Sequence, residues 1–447
     1  MKTDPWLNGK CSLFNEHRPL MRNNLRATRV RYSILAAVFV TVVINYMDRT
    51  NISVAGSFIS RELKLDSVKM GYIFSAFSWT YAGLQIPGGV LVDRYGARKL
   101  YSILLLLWSL ATITLGFASG FSVIIILRIL IGAFEAPSYP INNRIVTSWF
   151  PEKERASAIA TYTSGQFIGL AFLTPVLSAL QLYTGWRGLF IITGLIGIIW
   201  GLIWFLIYRD PGNHKKVSEQ ELTYIEQGGG LTDRGRTDPL PETSFKWKNL
   251  QLVLSNRKLW GIYLGQFGLG AALIFFLTWF PKYLVEYKHL NFLKSGFLAS
   301  IPFLCAFAGV LCSGYLSDWL VRKNVSVGMA RKSPVIVGLL LSMTIVGANY
   351  VNGTAWIIFF MSVAFFGNGL ASITWVFVSL LAPRNLIGLA GGTFNFIGGM
   401  AGVIVPIVIG YLVKAGDFSP ALLFISCMTL LGVLSYIFLV GRIERIK

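Results

Sequence analysis

Long apolar runs recur along the chain between short polar stretches, and each is long enough to cross a ~30 Å hydrocarbon core as a helix. The pattern predicts twelve spans, near 33–58, 70–92, 100–119, 121–148, 156–182, 187–208, 258–285, 293–317, 334–352, 354–382, 384–413 and 418–441. One polar interval, 209–257, is much longer than the rest and carries Pro-Gly, Gly-Gly-Gly and Pro-Leu-Pro elements that break helices. The expected organisation is a tail (1–32), an N-terminal six-helix bundle (33–208), a cytoplasmic central loop (209–257), a C-terminal six-helix bundle (258–441) and a second tail (442–447). The first apolar run follows a polar, basic tail and continues too far for a cleavable signal peptide, so it reads as a signal-anchor. The fold class expected is all-α and polytopic: 12 transmembrane helices in two pseudo-symmetric bundles.

Composition agrees. Apolar residues make up 54% and charged residues only 13%, against about 25% charged in soluble domains. The net charge of +20 would suggest nucleic acid in a soluble protein, but topology explains it. Of 40 Lys and Arg, 29 fall in the tails and loops on the side of both termini, eight in the opposite loops, and three (Arg49, Arg128, Arg144) inside spans. The positive-inside rule therefore puts both termini and the central loop in the cytoplasm. Cys11, Cys305, Cys312 and Cys427 lack metal-ligand spacing, and His17, His214 and His289 lie in tails or loops. No metal, cofactor or nucleic-acid partner is expected, and no nucleophile–base pair supports an enzyme. A channel would repeat a selectivity element around an axis, whereas the buried charges here sit in one half.

The halves echo each other. Gly89-Val-Leu-Val-Asp93-Arg94-Tyr-Gly96-Ala-Arg98-Lys99 follows the second span, and Gly314-Tyr-Leu-Ser-Asp318-Trp-Leu-Val-Arg322-Lys323 follows the eighth. Gly165-Gln166-Phe-Ile-Gly169 in the fifth span is matched by Phe394-Asn395-Phe-Ile-Gly398 in the eleventh. Repeated halves point to a carrier with its site near the midplane between them.

Of the 20 carboxylates, only Asp48 and Glu135 fall deep within apolar spans. An ionised carboxylate there costs several kcal/mol, so such groups are expected to face a polar cavity, and buried acids can carry a proton instead of a charge. Two of them in a carrier suggest proton coupling; the plainer reading is an ion pair that locks helices together. Arg128 lies seven residues before Glu135, on the same helical face about two turns away, and Arg49 follows Asp48. A guanidinium keeps its proton and grips carboxylates in a fork. Arg128 reads equally as a permanent partner for Glu135 or as an anchor for substrate. Counted back from Pro151 and Pro383, the second-half counterpart of Glu135 is Gly367, so charge chemistry belongs to the N-terminal half.

The glycine-aspartate-basic loop resembles the signature loop of the major facilitator superfamily. From about residue 32 to 441, Asn45-Tyr-Met-Asp-Arg-Thr-Asn, Gly71-Tyr-Ile-Phe-Ser-Ala-Phe, Gln85-Ile-Pro-Gly-Gly, Phe134-Glu-Ala-Pro-Ser-Tyr-Pro, Trp149-Phe-Pro-Glu-Lys-Glu-Arg and Tyr224-Ile-Glu-Gln-Gly-Gly-Gly-Leu are similar to the anion:cation symporter family. Its bacterial D-galactonate/proton symporters are the nearest in character. The resemblance implies a monomeric carrier of the bacterial inner membrane that imports a sugar acid with protons by alternating access. It implies Asp48 and Glu135 for proton coupling, and Tyr46, Arg49, Tyr81, Arg128, Gln166, Gln266, Ser372, Trp375 and Asn395 for substrate. Asp93, Arg94, Arg98 and Asp318 would form a gating latch at the cytoplasmic edge, joined by Glu152 and Arg155; Trp319 stands where the second copy should have an arginine. Carriage of glucarate, galactarate or hexuronate, sodium coupling and uniport stay open. The fifth span lacks the Gly-Pro-x-x-Gly-Gly run of superfamily antiporters.

Overall fold

A computed structural model describes residues 28–232, 247–383, 386–413, 416–441 and 443–446, and among them there is no strand. The helices are α1 (Val30–Glu62), α2 (Ser67–Tyr95), α3 (Ala97–Leu115) and α4 (Phe121–Trp149). The run Glu152–Ile207 follows, broken at Gly185 into α5 (152–184) and α6 (186–207). The second half comprises α7 (Arg257–Thr278), α8 (Phe292–Arg322), α9 (Gly328–Asn349), α10 (Thr354–Leu381), α11 (Ile387–Leu412) and α12 (Ser419–Val440). Ten helical runs are long and apolar enough to cross a membrane; α5 and α6 share one of them, and α2 is not among them. The weaker apolarity of α2 has a structural reason, since its Ser78 and Gln85 face a polar cavity between the halves.

Local chemistry sets the turns. Asp66 caps α2 by accepting from Lys69 N at 2.8 Å, Asn256 caps α7 through Lys258 N at 2.9 Å, and Asn291 caps α8 through Leu293 N at 3.0 Å. Gly96 (φ 74°) both ends α2 and starts α3, and Gly185 (φ 70°) makes the break between α5 and α6. Both positions favour a residue without Cβ. The ninth helix begins six residues before the expected 334, because Ser326 accepts from Met329 N and turns the basic stretch helical before the apolar run starts.

The central interval is not simply a loop. Ser218 caps a short helix, Glu219–Gln227, whose Glu221 is fully buried against the start of α1. Glu221 accepts from Thr28 Oγ1 at 2.7 Å, Val30 N at 3.0 Å and Arg31 N at 3.2 Å, so the central segment supplies the cap that α1 lacks in its own sequence. Arg155 reaches Gly229 O at 2.5 Å, and Leu231 N donates to Thr147 O at 3.0 Å. Residues 218–232 therefore belong structurally to the N-terminal half.

The face carrying the starts of α1 and α7 is called here the terminal face. The halves meet near the opposite, far face. Ser53 Oγ donates to Thr278 O at 2.8 Å, Phe58 and Phe292 pack edge to face, and so do Phe74 and Trp279. A Cβ on Gly71 would lie 2.6 Å from Pro406 O, and one on Gly410 would lie 2.6 Å from Ser67 O, so α2 and α11 touch backbone to backbone. Towards the terminal face the same two helices part: a Cβ on Gly89, Gly388 or Gly392 would meet nothing within 4 Å. The molecule is closed at the far face and spread at the terminal face.

Candidate functional site

A cavity of about 220 Å³ lies between the halves. From the N-terminal half α1 supplies Arg49, α4 supplies Arg128, and α2 supplies Phe74, Phe77, Ser78, Tyr81 and Gln85. From the C-terminal half come Gln266 and Thr278 of α7 and Asn395 of α11. The arginines are the only charged groups among the described residues lining it. Its C-terminal wall is neutral and hydrogen-bonding, its floor apolar and aromatic. This is the composition of a pocket for a hydroxylated anion.

Close helix packing puts the arginines there. Gly132 of α4 meets Phe77 of α2 so tightly that a Cβ would lie 2.1 Å from Phe77 O. That approach sets the Phe77 ring under both guanidiniums, at 5.0 Å from Arg49 and 5.1 Å from Arg128. Tyr81, stacked on Phe77, holds Arg49 at 4.5 Å, and Tyr46 holds it at 4.8 Å. Aromatic faces around a buried cation substitute for part of its lost hydration.

Glu135 is fully buried, and its partner is Arg49. Arg49 donates from Nε at 2.8 Å and from Nη2 at 2.6 Å, both to Oε1, while Oε2 has no hydrogen-bond partner among the described residues. Arg128 makes no ion pair with a described residue, and its Nε is unpartnered. Of the two readings open for Arg128, the permanent pair with Glu135 does not occur in this state.

Asp48 does not line the cavity. It sits against Trp108 of α3, within electrostatic reach of Glu135, Arg128 and Arg49, and its Oδ1 accepts a long bond from Asn51 Nδ2 at 3.4 Å. Asn51 in turn donates to Thr193 Oγ1 of α6 at 2.8 Å. Tyr46 and Gln166 sit just behind the cavity wall, where Gln166 Oε1 accepts from Tyr46 OH at 2.8 Å and Tyr139 OH at 3.4 Å. Gln266 accepts from Thr374 Oγ1 at 2.8 Å. Thr374 closes the 3-10 turn Ala371–Thr374, which contains Ser372, so Ser372 is next to the site without lining it. Trp375 is 48% exposed and packs edge to face on Phe394, the neighbour of Asn395.

Five sequence-predicted residues thus share one cavity: Arg49, Tyr81, Arg128, Gln266 and Asn395. Ser78, Gln85 and Thr278 were missed. Gln85 stood in a quoted motif, and Ser78 lies seven residues before it, a helical spacing that places both on one face. At the terminal face Asp318 pairs with Arg331 at 2.9 Å within its own half. Arg94 lies over the Tyr95 ring, and Arg98 donates to Phe205 O at 2.9 Å. The Asp93 side chain lies outside the described residues. Arg155 sits 3.8 Å from Glu152 and bonds backbone oxygens of Thr147, Phe150 and Gly229.

Residues 38–406 match the Major Facilitator Superfamily model. The chain is 52% identical to the D-galactonate transporter of Escherichia coli O6:H1, covering 95% of this chain and 99% of that one. It is 42% identical to a protein of Escherichia coli K12 named "Probable galactarate/D-glucarate transporter", covering 94% and 96%. Its backbone is similar to the inward-facing, occupied structure of a bacterial homologue of the human lysosomal transporter Spinster. That match has TM-score 0.67 and 19% identity, and covers 92% and 94% of the two chains. Twelve helical passes among the described residues, a cavity between the two halves and a family match over most of the length lead to one statement: this chain belongs to the Major Facilitator Superfamily.

Proposed function

We propose that the protein imports a sugar acid, D-galactonate foremost, together with protons across the bacterial inner membrane, as a monomer with both termini in the cytoplasm. The observation that carries the reading is the two-arginine cavity with Glu135 gripping one of its arginines. The substrate carboxylate and the Glu135 carboxylate compete for Arg49. When Glu135 takes a proton, it gives up the charge that holds the guanidinium, and Arg49 becomes free for substrate. Arg128 supplies the second positive charge, and Gln266, Asn395, Gln85, Ser78 and Thr278 present hydrogen-bonding groups to the hydroxyls. Proton and anion then load together, which is the requirement for symport. The names of the relatives support the choice of D-galactonate, and the single-sided charge of the cavity supports a monocarboxylate.

Asp48, which does not itself line the cavity, serves the switch between states. Asp93, Arg94, Arg98 and Asp318 line the terminal face, where a latch between halves would form as that face closes. The test is uptake by purified protein in proteoliposomes, using a panel of labelled aldonates, aldarates and hexuronates under an inward proton gradient. D-galactonate accumulation abolished by a protonophore supports the proposal. Equal accumulation under a sodium gradient at constant pH overturns the coupling ion, and preference for an aldarate overturns the substrate.

A further inference from the structure

The N-terminal half contains a second polar feature that the cavity does not include. Along α4, Glu135, Ser138 and Asn142 follow one another at helical spacing, so their side chains share one face. Along α3, which runs antiparallel, Trp108 and Tyr101 are seven residues apart and share a face as well. The two faces oppose each other. Trp108 Nε1 faces Asp48, and the Tyr101 hydroxyl faces Ser138 and Asn142 without the alignment of a hydrogen bond. Asp48, Trp108, Tyr101, Glu135, Ser138 and Asn142 are each 4% exposed or less.

Each carries at least one polar atom without a hydrogen-bond partner among the described residues. Glu135 Oε2, Asp48 Oδ2, Trp108 Nε1, Ser138 Oγ, Tyr101 OH and both amide atoms of Asn142 have no hydrogen-bond partner among the described residues. Buried polar groups are nearly always satisfied, by protein or by water. A contiguous column of such atoms at the junction of two helices is a place that holds water, since each site offers a molecule several polar partners. The column starts at the free oxygen of Glu135 and descends seven residues of α4, about 10 Å at 1.5 Å per residue. Beyond Asn142, the next unpartnered buried atom on α4 is Trp149 Nε1. It faces Tyr208, whose hydroxyl donates to Asp210 at 3.0 Å near the terminal face. Neither Ser138, Asn142 nor Tyr101 lines the cavity.

We infer that this α3–α4 seam is a hydrated proton route, separate from the substrate path, that connects Glu135 with the terminal face. The inference rests on the proton-coupled reading above. Glu135 Oε1 meets Arg49 beside the cavity, while Oε2 has no hydrogen-bond partner among the described residues, with Asn45 of α1 and Tyr101 of the seam close to the carboxylate. With the cavity filled by substrate, the proton on Oε2 leaves along the Ser138 and Tyr101 hydroxyls and bound water, which the Asn142 amide holds in place. Each transfer breaks one O–H bond and forms another, so no co-reactant is needed. Arg49, Arg128 and Asp48 are the charged groups around Glu135; none stands between Glu135 and Asn142 on the seam among the described residues, while Arg144 and Asp210 flank Tyr208 where the route reaches the terminal face.

The experiment compares gradient-driven uptake of D-galactonate with counterflow exchange in proteoliposomes, for the wild type, Asn142→Leu, and the paired Tyr101→Phe and Ser138→Ala variant. Exchange proceeds with the proton retained on the carrier, whereas net uptake requires its release. The seam predicts uptake at least about tenfold slower in both variants, with exchange within about twofold of wild type. Wild-type rates of gradient-driven uptake in either variant overturn the seam. Loss of exchange along with uptake in both variants also overturns it, because the residues then act in packing or switching. If wild-type uptake ignores the proton gradient, the proton-coupled reading has failed, a result that the wild-type arm alone reveals.

Discussion

Arg49 places two donors on a single oxygen of Glu135, and the other oxygen has no hydrogen-bond partner among the described residues. A fork engaging both oxygens would be the stronger lock. The one-sided grip holds Arg49 against the N-terminal wall while Arg49 still lines the cavity. The arrangement suits an anchor that must change partners during a cycle better than a permanent brace.

The lysine variant of the anchor is expected to fail. Arg49→Lys keeps the charge, but an ammonium cannot donate from two fixed positions or spread over the rings of Tyr46, Phe77 and Tyr81. D-galactonate affinity, measured by calorimetry or scintillation proximity, should fall by at least about tenfold, in line with the ~1.5–3 kcal/mol of a charged hydrogen bond. Affinity equal to wild type would remove Arg49 from the site.

The two buried acids should separate in function. Asp48 lies outside the cavity, so Asp48→Asn is expected to abolish concentrative uptake yet leave measurable exchange of labelled for unlabelled substrate. Glu135 controls Arg49, so Glu135→Gln is expected to weaken binding or stop both activities. Accumulation against a gradient by Asp48→Asn in response to pH would reduce Asp48 to a packing partner of Trp108 and Asn51.

Gly132 tests how the site is held. Alanine there would bring Cβ to 2.1 Å from the Phe77 carbonyl oxygen, and backbone cannot swing aside as a side chain does. Forcing α2 from α4 should cost about 1–3 kcal/mol, read as a lowered Tm in detergent. It should also displace Phe77 from beneath both arginines and weaken substrate binding. An unchanged Tm with unchanged affinity would show that the close approach is dispensable.

Glu221 makes a parallel test far from the cavity. Its carboxylate is the only side-chain cap for the α1 backbone amides among the described residues. Glu221→Ala strands Thr28, Val30 and Arg31 donors and should lower stability by about 1–3 kcal/mol, with substrate affinity kept. A stable variant would mean that α1 finds another cap.

Much of this was legible before the structure. Apolar runs located the spans because a helix in lipid must be apolar along its length, and α2 was found although it is the least apolar. Rarity of buried charge singled out Asp48, Arg49, Arg128 and Glu135. Pairing was not legible: spacing along one helix linked Arg128 to Glu135, while the partner came from α1 because tertiary packing overrides a two-turn separation. Spacing puts Asp48 about a third of a turn from Arg49 on α1, but could not show that only Arg49 lines the cavity. The Glu221 cap joins segments about 190 residues apart in the chain. Ser78, Gln85 and Thr278 escaped notice because a neutral polar residue in a span more often bonds a neighbouring helix than a ligand.

The central claim is that sugar acid and proton enter together, and a pH electrode tests it most directly. D-galactonate is added to weakly buffered proteoliposomes carrying the protein, with no imposed gradient and with membrane potential clamped by potassium and valinomycin. The account predicts immediate alkalinisation of the external medium, absent in Glu135→Gln and absent when D-galactonate is omitted. Substrate entry at the same rate with no change in external pH would contradict it.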